Sequence, residues 1–253
     1  MALLSAVIIT RDEERHLGAA LESLAFADEV LVVDSGSTDA TCRIAGEKGA
    51  RVRVLTPWPG FVEQRNRAVA AAAHDWILAL DADERVTPIL REEIRALMAA
   101  GPGAAGYRVR RVARYLGRWI RGGDWYPDWQ LRLFDRRYGE WTGGRVHESV
   151  RVRGRVQRLA GELEHHPYRD IGHHLQTIDR YTGLWAQDAF ERGRPARALE
   201  LGLAPAWSFL RSYLLRAGFR LGWAGFVVAA MGSYYTFLKL ARLSELRRTS
   251  RQP

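Results

Sequence analysis

Leu3 to Thr10 is an apolar run rich in β-branched residues, and it stops in Thr10, Arg11, Asp12, Glu13 and Glu14. Leu17, Ala20, Leu21 and Leu24 follow at helical spacing, so the pattern predicts strand, polar turn and helix. The same alternation then repeats. Glu29 to Val33 is a second strand ending in Asp34, and Ser35-Gly36-Ser37-Thr38-Asp39 is a small-residue turn opening a helix from about Ala40 to Lys48. Arg51 to Leu55 is a short third strand, Pro57-Trp58-Pro59-Gly60 a loop, and Val62 to Ala73 an alanine-rich helix. Trp76 to Leu80 is apolar enough for a strand buried on both faces, and it runs into Asp81, Ala82, Asp83 and Glu84. Thr87 followed by Pro88 reads as an N-cap and first helical residue. Strands alternating with helices predict a parallel or mostly parallel sheet with right-handed crossovers.

In such a sheet the acids that follow the first, second and fourth strands share one edge. That is the carboxyl edge, where open α/β sheets bind ligands. Acids at the mouth of a buried strand are costly unless something positive meets them. Asp81 and Asp83 are hard oxygen donors that suit Mg²⁺ or Mn²⁺ with positions left for phosphate oxygens. The alternative for an isolated Asp-x-Asp is a solvated acidic turn. GxxxxGK[ST] does not occur in the chain, and its one GxGxxG string, Gly101 to Gly106, leads out of a helix into a strand rather than opening a helix after one, so it is no dinucleotide fingerprint. The acids therefore fit a nucleotide whose ribose hydroxyls and base N–H they read, with a metal on its phosphates.

Beyond Met98, Gly101-Pro102-Gly103 breaks the fourth helix, and Gly106 to Arg114 alternates as a half-exposed strand. Trp119 to Trp129 mixes aromatics with Asp, Arg and Gly, so Trp125 and Trp129 are candidate sugar platforms; loop packing is the alternative. His165 and His166 sit beside Pro167 as either a metal- or diphosphate-facing pair or loop residues. Ile171 to Arg192 has helix-spaced apolar positions.

Composition sharpens the far end. The 253 residues are 47% hydrophobic, which excludes a disordered chain and allows one large domain or a domain with an appendage. The single Cys42 points to a reducing compartment, and the first ten residues lack the pattern of a signal peptide. Of the net +9, residues 197–253 carry +7, from nine Arg or Lys less two Glu. Leu221 to Leu238 is uncharged, with Arg216 and Arg220 before it and Lys239 and Arg242 after it. Cations on both sides fit helices lying in the interface of an anionic leaflet, anchored by residues such as Trp207 and Trp223. A span, a buried hairpin and a dimer interface are the alternatives. A nucleic-acid-binding protein is disfavoured, because the cations interleave with a long apolar run rather than forming a polar stripe.

SAVIITRDEERHL, EVLVVDSGSTDAT, QRNRAV and ILALDADE, in that order, resemble the nucleotide-sugar-binding half of family 2 glycosyltransferases over about residues 3 to 95. YPDWQLRLFDRR, GRVHESV, LEHHPYRD and the apolar tail resemble one branch, the lipopolysaccharide core glycosyltransferases that add β-glucose to heptose. The usual Asn after the first strand is Asp12 here. The resemblance implies a GT-A fold: a catalytic domain over 1–200, its nucleotide-sugar half 1–100 and acceptor half 101–200, then a membrane-associating helical tail over 201–253. It implies inverting, metal-dependent transfer from a UDP-sugar to a lipid-linked saccharide on the cytoplasmic face of a bacterial inner membrane. Thr10, Asp12 and Glu14 match the uridine pocket, Asp34 with Ser35 the uracil-reading turn, and Arg65 a basic residue near the diphosphate. Asp81 matches a contact to ribose or metal, and Asp83 a metal ligand. Asp128 matches the general base, with Glu148 as runner-up. Trp125, Trp129 and His147 are candidate acceptor contacts.

Overall fold

The structure is a computed structural model that describes residues 1–144 and 148–250. His147 lies outside the described residues. The chain forms two compact units, one from residues 1–111 and 128–165 and the other from 112–127 and 166 onward. Residues 166–200 thus group with the tail.

In the first unit the chain runs β1 (Leu4–Thr10), α1 (Leu17–Ser23), β2 (Glu29–Asp34), α2 (Thr41–Glu47), β3 (Arg51–Val54), α3 (Phe61–Ala71), β4 (Trp76–Asp81), β5 (Glu84–Val86) and α4 (Pro88–Ala100). It continues with β6 (Gly106–Tyr115), whose last four residues and β7 (Arg118–Ile120) belong to the second unit. It returns with β8 (Asp128–Asp135), β9 (Gly139–Gly143), β10 (Glu148–Val152) and β11 (Val156–His165). The sheet order is β3-β2-β1-β4-β8-β6-β11-β5. The first four strands are parallel, as the alternating pattern predicts. β8 then pairs antiparallel with both β4 and β6, and β11 with β5, so the whole sheet is mixed. β9 and β10 form a separate antiparallel ribbon.

Strand alternation divides the core between the two faces. Leu4, Ala6, Ile8, Trp76, Leu78 and Leu80 pack with Leu17, Leu21, Leu90 and Ile94 of α1 and α4. Val7, Leu31, Val33, Ile77 and Ala79 pack on the other face with Ala68 and Val69 of α3. Burying both faces fixes the register, and with it the direction in which each strand end points. The Thr87 hydroxyl caps α4 by accepting from Leu90 N–H at 3.3 Å, and Pro88 follows it as expected. The same hydroxyl donates to the Glu162 carbonyl at 2.7 Å, tying α4 to β11.

Gly161 shows how closely these two elements approach. A Cβ there would lie 2.5 Å from the Leu90 Cα, a backbone atom that cannot rotate away. Gly161→Ala is therefore expected to destabilise the protein by about 3 kcal/mol, through overpacking. A lowered urea midpoint with unchanged slope is the readout, and a wild-type midpoint would show that α4 and β11 can separate freely.

The second unit holds the β6–β7 hairpin end, α5 (Ile171–Glu191), α6 (Ala198–Leu210), a π-helical turn (Arg211–Leu215) and α7 (Gly222–Thr249). Tyr115, Ile120, Ala224, Val227 and Val228 form one buried cluster, and Ala186, Ala189 and Leu243 another. His174 is buried beneath Tyr168, stacked at 4.0 Å, with its Nδ1 2.9 Å from the Tyr115 hydroxyl. Burial, and then the charge of His173, hold His174 down at about 4, so it is neutral at pH 7. Trp125, an expected acceptor platform, packs edge-on against His174 and beside Tyr115 in an aromatic cluster and is half-buried there.

Candidate active site

The loops after β1 and β2 meet, as the shared-edge reading requires. Asp34 is fully buried, and each of its oxygens accepts two hydrogen bonds. The donors are the Thr10 hydroxyl at 3.0 Å, the Ser37 hydroxyl at 2.5 Å, and the N–H groups of Gly36 at 2.8 Å and Ser37 at 2.7 Å. Burial opposes its ionisation, but the Ser37, Thr10 and Gly36 donors outweigh it and hold the carboxyl below the usual range. Asp34 thus shapes the turn that begins with Ser35. Asp12 adopts φ 54°, a left-handed conformation that Asn and Asp tolerate best, and it accepts from Thr38 N–H at 2.8 Å. Glu14 accepts from Ala40 N–H at 3.0 Å.

The QRNR stretch of α3 reaches three other elements. Gln64, fully buried, donates to the Ser35 hydroxyl at 3.2 Å. Asn66 both donates to and accepts from the Trp141 backbone, at 3.0 and 2.9 Å. Arg65 lies over the Trp141 ring at 4.4 Å and donates to Asp81 at 2.5 Å. Arg65 is 8% exposed, so it belongs to the site rather than to the helix surface.

Asp81 is the centre of a buried charge network. Its Oδ1 accepts from Arg65 and its Oδ2 from Arg132, each at 2.5 Å. Glu84, fully buried, accepts from Arg132 at 2.5 Å and from Arg111 at 3.0 Å, and its other oxygen accepts from Asp81 N–H at 3.0 Å. Burial opposes the charge on Asp81, but Arg132, Arg65 and Arg111 overcome it and hold the carboxyl well below its ordinary value. Arg132 is correspondingly raised: desolvation opposes, and Asp81 and Glu84 prevail. Arg111 extends the network to Asp128, whose Oδ2 it meets at 2.7 Å, while Gln130 donates to Oδ1 at 2.6 Å. Glu148 lies 3.8 Å from Arg65. The two candidate bases therefore each border a guanidinium that also touches Asp81 or Glu84.

Asp83, in the turn after β4, faces His165 at the end of β11, with Nε2 and Oδ2 3.3 Å apart. Burial opposes Asp83 ionisation, and His165 reverses that effect, so the carboxyl sits below its ordinary value. Glu13 behaves oppositely. Burial first, then the charges of Asp83, Asp39, Asp81 and Asp12, push it up to about 7. Carboxylates that repel one another this strongly are a donor set that a divalent cation would relieve. Asp83 and His165 fit as protein ligands of Mg²⁺ or Mn²⁺. Asp81, expected beside Asp83 as a ligand, has both oxygens engaged by arginines. Among the described residues no group of three or more His, Cys, Asp or Glu is placed to hold a metal. Remaining positions would fall to phosphate and water oxygens.

Residues 5–158 match the family model described as Glycosyl transferase family 2. The chain belongs to this family. Its fold is accordingly GT-A-like, a mixed sheet with helices and a long apolar helix towards the C-terminus. This family 2 glycosyltransferase is 32% identical over 256 residues to the lipopolysaccharide core biosynthesis glycosyltransferase LpsC of Rhizobium meliloti, covering 99% of this chain and 95% of that one. It is 30% identical to an uncharacterized glycosyltransferase of Rickettsia typhi, RT0209, over 99% of this chain and 90% of that one. Among solved structures it resembles glucosyl-3-phosphoglycerate synthase of Mycobacterium tuberculosis, in complex with Mn²⁺, UDP and glucosyl-3-phosphoglycerate. That likeness has 27% identity and a TM-score of 0.38, over 45% of this chain and 44% of that one.

The remaining expected residues fall into two groups. Trp129 lies between Arg110, at 5.6 Å, and Arg158, at 4.7 Å, a cationic setting on the first unit. In the second unit Arg216 pairs with Asp124 at 3.4 Å, and Arg242 pairs with Asp179. Lys239 lies over Trp185 at 5.0 Å and Arg220 over Phe219 at 6.0 Å. In the sequence Glu13 and Glu84 stand out only as acids at strand ends, and Arg111 and Arg132 carry no expected role. The one available signal was Arg132 between two leucines of a strand, since a buried charge needs a partner.

Proposed function

We propose that the enzyme transfers a hexose, with glucose the first candidate, from a UDP-sugar to an inner-core heptose of lipopolysaccharide, with inversion and with Mg²⁺ or Mn²⁺ bound. The observation that carries this reading is the pairing of Asp83 with His165 beside a network joining Asp81 to Asp128. The near full-length similarity to LpsC supports the acceptor class.

A bound cation would act as a Lewis acid on the departing diphosphate. The chain's own residues supply the rest. Arg65 presents a buried cation beside Asp81, suited to the diphosphate. Thr10, Asp12, Glu14, Asp34 and Ser35 build the uridine-facing turns. Asp128 takes the proton from the acceptor hydroxyl as that oxygen bonds to the anomeric carbon, and the carbon–phosphate oxygen bond breaks with its electrons leaving on UDP. A single in-line displacement turns an α-linked donor into a β product. Arg111 and Gln130 hold Asp128 while each carboxylate oxygen keeps a further lone pair for the hydroxyl. Purified enzyme is expected to release UDP from UDP-glucose when given inner-core lipopolysaccharide, and none when given polyprenyl phosphate. Release with polyprenyl phosphate alone would make that lipid phosphate, the second acceptor reading, the acceptor instead of heptose.

The second unit bears on location. Among the described residues one segment, Gly218–Thr249, is long and apolar enough to cross a membrane. Yet one face of α7 is buried against Tyr115, Ile120, Ala186 and Ala189. A spanning α7 would draw α5 into hydrocarbon together with Arg180 and the Asp179–Arg242 and Asp188–Arg192 pairs, and charged side chains are costly at the bilayer centre. From α6 through the π-helical turn to the start of α7 the chain instead carries Trp207, Leu210, Leu214, Leu215, Phe219 and Trp223, all more than 40% exposed. Such a face suits peripheral adsorption to an anionic leaflet, at the cytoplasmic side of the inner membrane. Each well-placed cation would add about 1 kcal/mol. Binding to phosphatidylglycerol vesicles is expected to weaken as salt rises, and Leu215→Glu to weaken it further. Binding that ignores salt and resists carbonate would indicate a true span.

A further inference from the structure

We propose that the open groove between α5 and α7 takes one acyl chain of an anionic glycerophospholipid drawn from the leaflet, an inference that rests on the peripheral membrane reading above. The groove has a volume of about 400 Å³ and is lined by Ile171, Leu175, Trp223, Phe226, Ala230 and Tyr234, among other apolar residues. Apart from the Tyr234 hydroxyl and the Trp223 indole N–H, these side chains offer only carbon. Water inside would find few of the two to four polar partners it needs, and a polar ligand would find no orienting groups. The groove is nonetheless open: Trp223 is 68% exposed, Tyr234 44%, Phe226 42% and Leu175 41%. A flexible hydrocarbon chain matches both properties.

Charge selects the occupant. Residues 201–244 contain Arg211, Arg216, Arg220, Lys239 and Arg242 and no acid. At the Trp223 end, Arg118 Nη1 lies 3.2 Å from the Leu221 carbonyl, and a Cβ on Gly222 would lie 3.6 Å from the same nitrogen. Asp170, next to Ile171, is occupied in capping α5, accepting from His173 N–H at 2.7 Å. A second copy of this chain would pair the face with itself, because a two-fold interface brings identical patches together. Arg220 and Lys239 of one copy would then oppose the same residues of the other, whereas Arg211, Arg216 and Arg242 already pair with Asp124 and Asp179. A lipid with an anionic head lets the chain fill the groove while the phosphate meets Arg118 and Arg220.

The test uses the full chain in a non-ionic detergent, with palmitoyl-oleoyl phosphatidylglycerol as probe and native mass spectrometry as readout. One added lipid per chain is expected, with phosphatidylcholine bound at least about tenfold less. Ala230→Trp fills the groove, and Tyr234→Asp puts a charge on its exposed rim. Each is expected to lower lipid occupancy by about tenfold or more while sedimentation with phosphatidylglycerol vesicles changes by less than about twofold. A matching thermal melt shows that each variant is folded. Undiminished lipid in both folded variants, equal uptake of phosphatidylcholine, preferential uptake of lipid A, or a dimer dissociated by Ala230→Trp would each overturn the proposal. Absence of vesicle binding by the unmodified chain would overturn the membrane reading instead.

Discussion

Asp83→Asn is expected to cost about a thousandfold in kcat/KM while leaving the protein as stable as before. Loss of a metal's charge stabilisation at a departing diphosphate is worth several kcal/mol, and about 4 kcal/mol corresponds to that factor. The amide keeps the shape of the side chain but offers a metal only a neutral oxygen. Stability should hold, because Asp83 is a desolvated carboxylate in a group of mutually repelling acids, facing His165 at 3.3 Å. Asp81→Asn should behave differently. It removes the anion shared by Arg65 and Arg132, and breaking a buried pair costs about 3–5 kcal/mol. Its melting temperature should fall sharply, before any question of metal affinity arises. Full activity of Asp83→Asn at saturating Mn²⁺ would remove Asp83 from the metal site. Equal melting of the two variants would contradict the division of labour between the two acids.

Asp128→Asn is expected to lower turnover by about a hundredfold or more with UDP affinity nearly unchanged, because the amide keeps the shape but cannot take the proton. Glu148→Gln should be milder. Arg111 bears directly on this comparison. It reaches Asp128 at 2.7 Å and Glu84 at 3.0 Å, so Asp128 is held from within the sheet, whereas Glu148 stands 3.8 Å from Arg65. If Glu148→Gln abolishes transfer and Asp128→Asn does not, the two roles must be exchanged.

The parallel half of the sheet was legible because its signals are local. β1, β2, β3 and β4 lie within a residue or so of the runs read from hydropathy, and Thr87-Pro88 opens α4 as the cap chemistry predicts. The shared acidic edge followed from topology alone. In the antiparallel half β6 was legible as the alternating run Gly106 to Arg114, but β9, β10 and β11 were not, since they are short or amphipathic segments whose order in the sheets hydropathy does not carry. For the same reason His165 could only be weighed against a loop residue, although it ends β11 opposite Asp83. For Arg65, α3 by itself does not reveal that Asp81 and Trp141 enclose it. Glu84 looked like part of an acidic turn. Its burial depends on Arg111 and Arg132, contributed from 27 and 48 residues away. In the tail the cations were counted towards a lipid surface, yet Arg216 and Arg242 hold Asp124 and Asp179 within the unit. Composition records charge but not which charges are already paired.

Calorimetric titration of UDP into the purified enzyme, with and without Mn²⁺, tests the central claim most directly. Metal-dependent binding of one UDP per chain is expected, lost in Asp83→Asn and retained in Asp128→Asn. UDP binding that is equally tight without metal, or that survives Asp83→Asn unchanged, would contradict it.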